Sequence, residues 1–311
     1  MILEKKLIAI YRDYQVFNDW KILEPKIEKV FHGSIHIQKL IKAGCLAVGG
    51  DEESLSAAII ALCCVQKSIM LVDDILDNDP RGDHILIGNG RASNQAQAFL
   101  GGALQIIIKS DFTPNQKFRM IDVISKMIID TSFGQNLDVN IPKTEGEYWK
   151  MVKAKSSPFY GALFEIGAIA GNPNSREIKK VRAFGDIYGE MIQIHDDLLD
   201  CLDTTPGPDW VEGRLPLPIL FAEIVDHPER DEFIHLRADI EEKNNLEQAQ
   251  KILISCGAVA YCVDQLFPRE QLAIEIIESA DGLDKRVLMN VLQEVMVAPS
   301  KLIENLEKSQ V

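Results

Sequence analysis

The sequence predicts an all-α protein, a large antiparallel helical bundle. Three observations carry that prediction. Apolar residues recur at helical spacing along nearly the whole chain. Strand signals, meaning short alternating runs bounded by turn dipeptides, are almost absent. Several candidate helices exceed twenty residues and are joined by short loops, which favours antiparallel neighbours. No Ser/Gly-rich linker divides the chain and no repeat of 20–50 residues is found, so residues 1–311 read as a single domain.

The elements follow in order. Candidate helices cover 2–17, 20–31 and 34–48, the third ended by Gly49-Gly50. The next, 53–77, ends before Asp79-Pro80-Arg81-Gly82. Helices 92–109, 114–139 and 145–171 follow, the last stopped by Asn172-Pro173. A long helix over 174–203 runs to Thr205-Pro206-Gly207-Pro208, and 214–225, 246–265, 267–279 and 284–308 complete the chain. Glycine and proline mark these breaks because one admits a positive φ and the other removes a helix donor.

Composition narrows the function classes. The 311 residues carry 33 Lys+Arg against 47 Asp+Glu, a formal charge of −14. That excess opposes broad attraction to nucleic acid or to an anionic membrane surface. It leaves room for a phosphorylated substrate if a metal or basic cluster inverts the local field. Lys5 and Lys6 interrupt the first apolar residues, so no signal peptide is read. The most apolar stretch, 57–72, contains Gln66 and Lys67 and ends in two aspartates, which excludes an integral membrane segment. Six cysteines show no CxxC pair and no zinc spacing; they read as reduced apolar fillers of a cytoplasmic protein.

The chemistry lies in two aspartate clusters. Asp73-Asp74-Ile75-Leu76-Asp77 ends an apolar helix. At about 100° per residue, Asp73 and Asp77 share a face with Asp74 beside them. Three carboxylates at a helix C-terminus repel one another and oppose the dipole. A bound divalent cation resolves both problems, and Mg²⁺ suits oxygen ligands with places kept for water and phosphate. Asp196-Asp197-Leu198-Leu199-Asp200 repeats the DDxxD spacing after another apolar run. One copy in an acidic protein is weak evidence. Two copies point to a polymetal site that binds a diphosphate at the mouth of an apolar cavity.

With these motifs the chain resembles the polyprenyl synthetase family, the trans-isoprenyl diphosphate synthases of the class I isoprenoid synthase fold. Further matches extend the resemblance over nearly the whole chain. Gly134-Gln135 with Asp138 looks like the family's GQxxD, and Lys155-Ser156 like its Lys-Thr step. Gln193 stands where the family has a glutamine, and 207–214 followed by Leu217-Pro218 looks like GxDxxxGK with its Leu-Pro.

The resemblance implies a helical bundle around a central apolar cavity, a homodimer, and Mg²⁺, about three ions, as cofactor. It implies metal ligation by Asp73, Asp77 and Asp196, with Asp74, Asp197 and Asp200 as ligands or their supports. Arg81, Lys155 and Arg214 would contact the diphosphate of an allylic substrate, and Gln193 would line the reacting end. Asp73, Asp77, Asp196, Lys155 and Gln193 form the expected catalytic set. The physical rationale is general: C–O cleavage deposits negative charge on the leaving diphosphate, and metals and cations stabilise it as it grows. The residues before the first DDxxD form the cavity floor in this family. Here Ser68 and Ile69, with Cys64 and Val65 above them, offer no aromatic ring, so a C15 or C20 chain is expected. Phe133 or Phe164 is the alternative closure.

The acceptor side departs from the family. Its GGKRLRP stretch, which holds isopentenyl diphosphate, reads His32-Gly33-Ser34-Ile35-His36-Ile37-Gln38 here. Ser34, Ile35 and Ile37 replace one lysine and two arginines, and a diphosphate without charge-assisted partners is poorly held. The family's Arg-Arg-Gly is Pro80-Arg81-Gly82, its lysine before Leu-Pro is Arg214, and its threonine there is Pro216. His36 and His84 read either as parts of a new acceptor site or as ordinary surface and structural residues. The first expectation is therefore an enzyme that ionises a C15–C20 allylic diphosphate and resolves the cation by cyclisation or transfer without isopentenyl diphosphate. The alternative is a chain-elongating prenyltransferase that uses it. A non-catalytic partner subunit is the third reading, opposed by two complete DDxxD motifs.

Overall fold

The computed structural model describes Trp20, residues 33–172 and residues 174–309, with residues 54 and 298–309 described by backbone alone. Apart from Trp20, the helices expected over 2–17 and 20–31 lie outside the described residues, as does His32. Among the described residues every regular element is a helix. These are α1 (Ile35–Ala47), a 3₁₀ turn (Glu52–Leu55), α2 (Ser56–Leu76), α3 (Asp83–Ile87), α4 (Asn89–Lys109), α5 (Pro114–Val139), α6 (Glu145–Gly171) and α7 (Ile178–Cys201). There follow α8 (Pro208–Val211), α9 (Leu217–Ile224), α10 (Arg230–Ala238), α11 (Asn245–Ser255), α12 (Ala258–Asp264), α13 (Leu266–Glu278) and α14 (Lys285–Ser309). No helix among the described residues is long and apolar enough to cross a membrane.

The long helices fall where the apolar periodicity puts them, and α5 and α6 keep the expected bounds. Three expectations change. The helix expected over 246–265 is two, because Gly257 adopts φ +84° and lets the chain turn between α11 and α12. The short helix α8 starts at Pro208, whose fixed φ suits a first helical position. The helix α10 buries only Phe233 and Leu236 among charged neighbours, too narrow an apolar stripe to read as a period.

The chain divides into two compact units. The first contains residues up to Ile128, Gly161–Gly185 and Ile277–Leu288. In it α2 packs along α4, and the Ser68 hydroxyl donates to the Ala96 carbonyl at 2.8 Å. α1 meets the second half of α6 backbone to backbone. A Cβ on Gly44 would lie 2.2 Å from the Phe164 carbonyl oxygen, and one on Gly167 2.0 Å from that of Ile41, so only hydrogen fits at either position. The Gln116 side-chain amide donates to the Ile169 and Ala170 carbonyls and so satisfies buried acceptors.

The second unit contains Ile129–Tyr160, Asp186–Ile276 and the chain from Met289 on. Its core includes Tyr148, Trp210 and Phe233, each about fully buried, and the Trp210 and Phe233 rings meet edge to face.

Candidate active site

The first aspartate cluster belongs to the first unit and sits where α2 ends. Asp77 is the C-terminal cap, with its N–H donating to the Asp73 carbonyl at 2.8 Å. The chain then leaves through Asn78 at φ +48°, and the Asp79 N–H returns to the Asp74 carbonyl at 3.0 Å. Asp73, Asp74 and Asp77 are all half-buried. Burial pushes the Asp74 carboxyl above its ordinary range, and the nearby Lys67 charge opposes that. Lys67 also pairs with Asp83 at 3.0 Å, which ties α2 to α3.

Arg81 wraps around Asp79. Its backbone N–H and its Nε donate to Asp79 Oδ1 at 2.8 and 3.0 Å, and this guanidinium holds the Asp79 carboxyl below its usual range. The Arg81 side chain is 72% exposed, so solvent screens this pair and it is weakly held. Gly82 is sterically required. A Cβ there would lie 2.5 Å from His84 Nδ1 and 2.7 Å from Asp74 Cβ. His84 is buried beside the cluster with its Nδ1 unpartnered, not displayed as an acceptor residue.

The expected floor pair is split. Ser68 precedes Asp73 by five residues and is therefore turned from it by about 140° around the helix. It is buried, and its hydroxyl is bonded to Ala96 on α4. Ile69, four residues before Asp73, stays on that face and is half-buried. Cys64 and Val65 are buried core. Phe164 is also core, against Phe184, whereas Phe133 is half exposed.

The second cluster belongs to the second unit, on the last turns of α7. Its three aspartates have different surroundings. Asp197 is 4% exposed, and both its oxygens are occupied. Oδ2 accepts from the Tyr148 hydroxyl at 2.7 Å and the Leu217 N–H at 2.8 Å, and Oδ1 accepts from Gln193 Nε2 at 2.8 Å. Burial pushes its carboxyl up to about 7 against the pull of those three donors. Three donors thus take three of the roughly four lone-pair sites of the Asp197 carboxylate and tie it to α6, α7 and the start of α9. Asp196 and Asp200 lie one turn apart and are exposed. Protein around Asp196 nonetheless desolvates it, and with Asp200 beside it the carboxyl is pushed up to about 7, opposed by Lys155.

Gln193 is held from two sides. Its Oε1 accepts from the Ser156 hydroxyl at 2.5 Å and its Nε2 donates to Asp197. The two cations meet on one oxygen: Lys155 Nζ lies 2.5 Å and Arg214 Nη1 3.2 Å from Asp138 Oδ2. Gly134 brings α5 and α6 together for this, since a Cβ there would sit 2.3 Å from the Lys155 backbone nitrogen. Asp209 lies in the same field. Burial pushes it up to about 6, with Asp138 and Asp200 adding and Arg214 and Lys155 opposing. Tyr148 carries no local motif that marks it; Asp209 does stand in the matched GxDxxxGK stretch.

Mg²⁺ fits these residues. Among the described residues no group of three or more His, Cys, Asp or Glu side chains is placed to hold a metal ion by itself. Mg²⁺ needs none: it takes one or two carboxylates, with phosphate and water completing the octahedron. Asp74 and Asp196, both pushed toward the protonated form by burial, gain from a cation.

The stretch expected to hold the acceptor is divided between core and solvent. Ser34 is 4% exposed and its hydroxyl donates to Gln66 Oε1 on α2 at 2.7 Å. Ile37 is buried, whereas Ile35 and His36 face solvent.

Comparison with known proteins bears on the family and the fold. The family model described as polyprenyl synthetase matches residues 30–254. A geranylgeranyl diphosphate synthase of Methanosarcina mazei is 30% identical over 254 residues, covering 77% of this chain and 74% of that one. The crystal structure of a geranylgeranyl pyrophosphate synthetase from Pyrococcus horikoshii superposes with TM-score 0.78 at 20% identity, covering 94% of each chain. A polyprenyl synthase from Caulobacter crescentus, solved with calcium and isoprenyl diphosphate, superposes with TM-score 0.73 at 18% identity over 87% of this chain and 88% of that one. The fold is therefore that of the prenyl synthases.

Proposed function

The chain belongs to the polyprenyl synthetase family, and on that footing we propose that it is a Mg²⁺-dependent, chain-elongating trans-prenyltransferase. It acts on an allylic diphosphate, ionises it, and joins the resulting cation to isopentenyl diphosphate, with C15–C20 chains. Elongation takes precedence over the cyclising outcome that the sequence placed first, because the similar chain from Methanosarcina mazei is a geranylgeranyl diphosphate synthase. The observation that carries the diphosphate chemistry is the meeting of Lys155 and Arg214 on Asp138. Two cations compensated by one shared carboxylate form a preorganised anion site.

Each residue has a part. In the first unit Asp73 and Asp77, with Asp74 beside them, and in the second unit Asp196 and Asp200 are the residues that would hold metal. The metal supplies positive charge for the leaving diphosphate. Lys155, Arg214 and Arg81 bind and orient that diphosphate, and their charge counts most as the C–O bond breaks. Gln193, held by Ser156 and Asp197, presents a fixed amide to the reacting end. Asp197 positions Gln193 and the start of α9. Ile69 lines the tail of the substrate. The protein acts as one isoprenoid-synthase domain, as a homodimer in the cytoplasm.

One observation favours a second reading, ionisation followed by cyclisation or by transfer to another acceptor. Ser34 and Gln66 satisfy one another where the family places a diphosphate-binding lysine, and Ile37 is buried. Incubation with C10, C15 and C20 allylic diphosphates, with and without isopentenyl diphosphate, separates the two. Longer diphosphates formed only with isopentenyl diphosphate support elongation. Pyrophosphate and a hydrocarbon formed without it establish the second reading.

A further inference from the structure

Arg237 lies outside both aspartate motifs, on the last turn of α10, with its side chain 10% exposed. Its Nη1 donates to Glu223 Oε1 on α9, and its Nη2 donates to the backbone carbonyl of Arg214. Its Nε is buried without a hydrogen-bond partner. A buried guanidinium with one bond unmade is a destabilising feature. The apolar face of α10 needs only Phe233 and Leu236. A methionine or leucine would fill the same space with less electrostatic penalty, so fold stability alone does not account for an arginine.

What Arg237 holds is specific. Arg214 follows Gly213, which adopts φ +70° to make the turn. The Arg214 N–H donates to the Asp209 carbonyl at 2.9 Å, and its carbonyl is the group that Arg237 takes. Both polar groups of the Arg214 backbone are thus pinned, while its side chain reaches Asp138 Oδ2 at 3.2 Å. A long side chain aims its charge only as well as its backbone is fixed, and small misplacements at a reacting centre are magnified in rate.

We propose that Arg237, braced by Glu223, is a positioning residue that sets Arg214 against the diphosphate of the substrate. It does not touch the substrate itself. The assignment rests on the reading of Arg214 as a diphosphate contact.

A double-mutant cycle tests it, with kcat and KM for the allylic diphosphate measured at saturating Mg²⁺ and thermal midpoints recorded beside them. Arg237→Ala is expected to lower kcat/KM roughly tenfold in the wild-type background, in line with a lost hydrogen bond to a charged group. In the Arg214→Ala background the same substitution is expected to change kcat/KM little, because nothing remains to be aimed. Arg237→Lys, which keeps a charged donor but not the guanidinium fork, should recover part of the loss. Should Arg237→Ala not fold, Glu223→Ala removes the brace and carries the same cycle with the guanidinium kept. An equal loss in both backgrounds, or no loss in either, overturns the positioning role. If Arg214→Ala alone leaves kcat/KM unchanged, it is the reading of Arg214 that falls.

Discussion

The buried carboxylate of Asp197 accepts the backbone N–H of Leu217 at 2.8 Å, so a residue of the second aspartate motif caps the helix that begins at the Leu-Pro step. Pro216, at the N-cap of α9, makes no side-chain cap bond, and Asp197 does that work from α7. Tyr148 and Gln193 share the same carboxylate, so α6, α7 and α9 meet on one side chain.

Asp196 and Asp197 should therefore fail in different ways. Asp197→Ala strands three donors in a buried space and should lower stability by about 3 kcal/mol. Asp196→Ala should not lower the thermal midpoint but should reduce pyrophosphate release by about a thousandfold, as should Asp73→Ala or excess chelator. Equal losses of thermal stability in the two variants would remove the distinction between ligand and scaffold.

Acid–base linkage has a definite sign here. Asp196 and Asp197 rise from 3.8 to about 7, and Asp209 from 3.8 to about 6. The folded metal-free protein binds more protons than the unfolded chain across that window. Their contribution is fully present below the unfolded value and is lost as pH rises through the folded ones. The thermal midpoint of metal-free protein should fall between about pH 4 and 7 on this account, and stabilisation by added Mg²⁺ should grow over the same range. Calorimetric scans at several pH values, with and without Mg²⁺, measure both. A metal-free midpoint that climbs steadily through that interval would contradict the linkage.

The two sides of α2 should respond differently to bulk. Ser68→Phe drives a ring into α4 and breaks the bond to Ala96, so it should destabilise by about 1–3 kcal/mol with little change in product length. Ile69→Phe, on the aspartate face, should shorten the preferred chain with a smaller loss of stability. Product chromatography and melting curves of the two variants decide it. Shortening by Ser68→Phe alone would return the floor to the α4-facing side.

Gly134→Ala should reach Lys155 through the backbone. The added methyl would meet the Lys155 nitrogen at 2.3 Å, and helix backbone has no compliant side chain to move aside. Lys155 should lose its register with Asp138, and kcat/KM should fall by roughly ten- to a hundredfold. Retention of full activity would mean that α5 and α6 separate at little cost and that this register does not matter.

Local signals on the chain were enough for part of this. The long helices α5 and α6 announce their bounds because apolar residues repeat every turn over more than twenty positions. The paired DDxxD motifs, Lys155 and Arg214 were legible because each sits in a short pattern of fixed spacing. The turn at Gly257 and the polar helix α10 were not, since one glycine and a two-residue apolar stripe give no clear period.

The sequence by itself determined the helical class, the family and the carboxylates and cations available for a diphosphate. Tertiary structure alone decided which of them are free to act. Asp197 is spent on Tyr148, Leu217 and Gln193, Ser34 on Gln66, Ser68 on Ala96, and Arg237 on the carbonyl of Arg214. The physical reason is that a hydrogen bond is directional and short, whereas most of these partners stand 20 or more residues apart along the chain. Helical spacing states which face a residue occupies, but only packing states which neighbour meets that face and whether it satisfies the side chain or leaves it for a ligand.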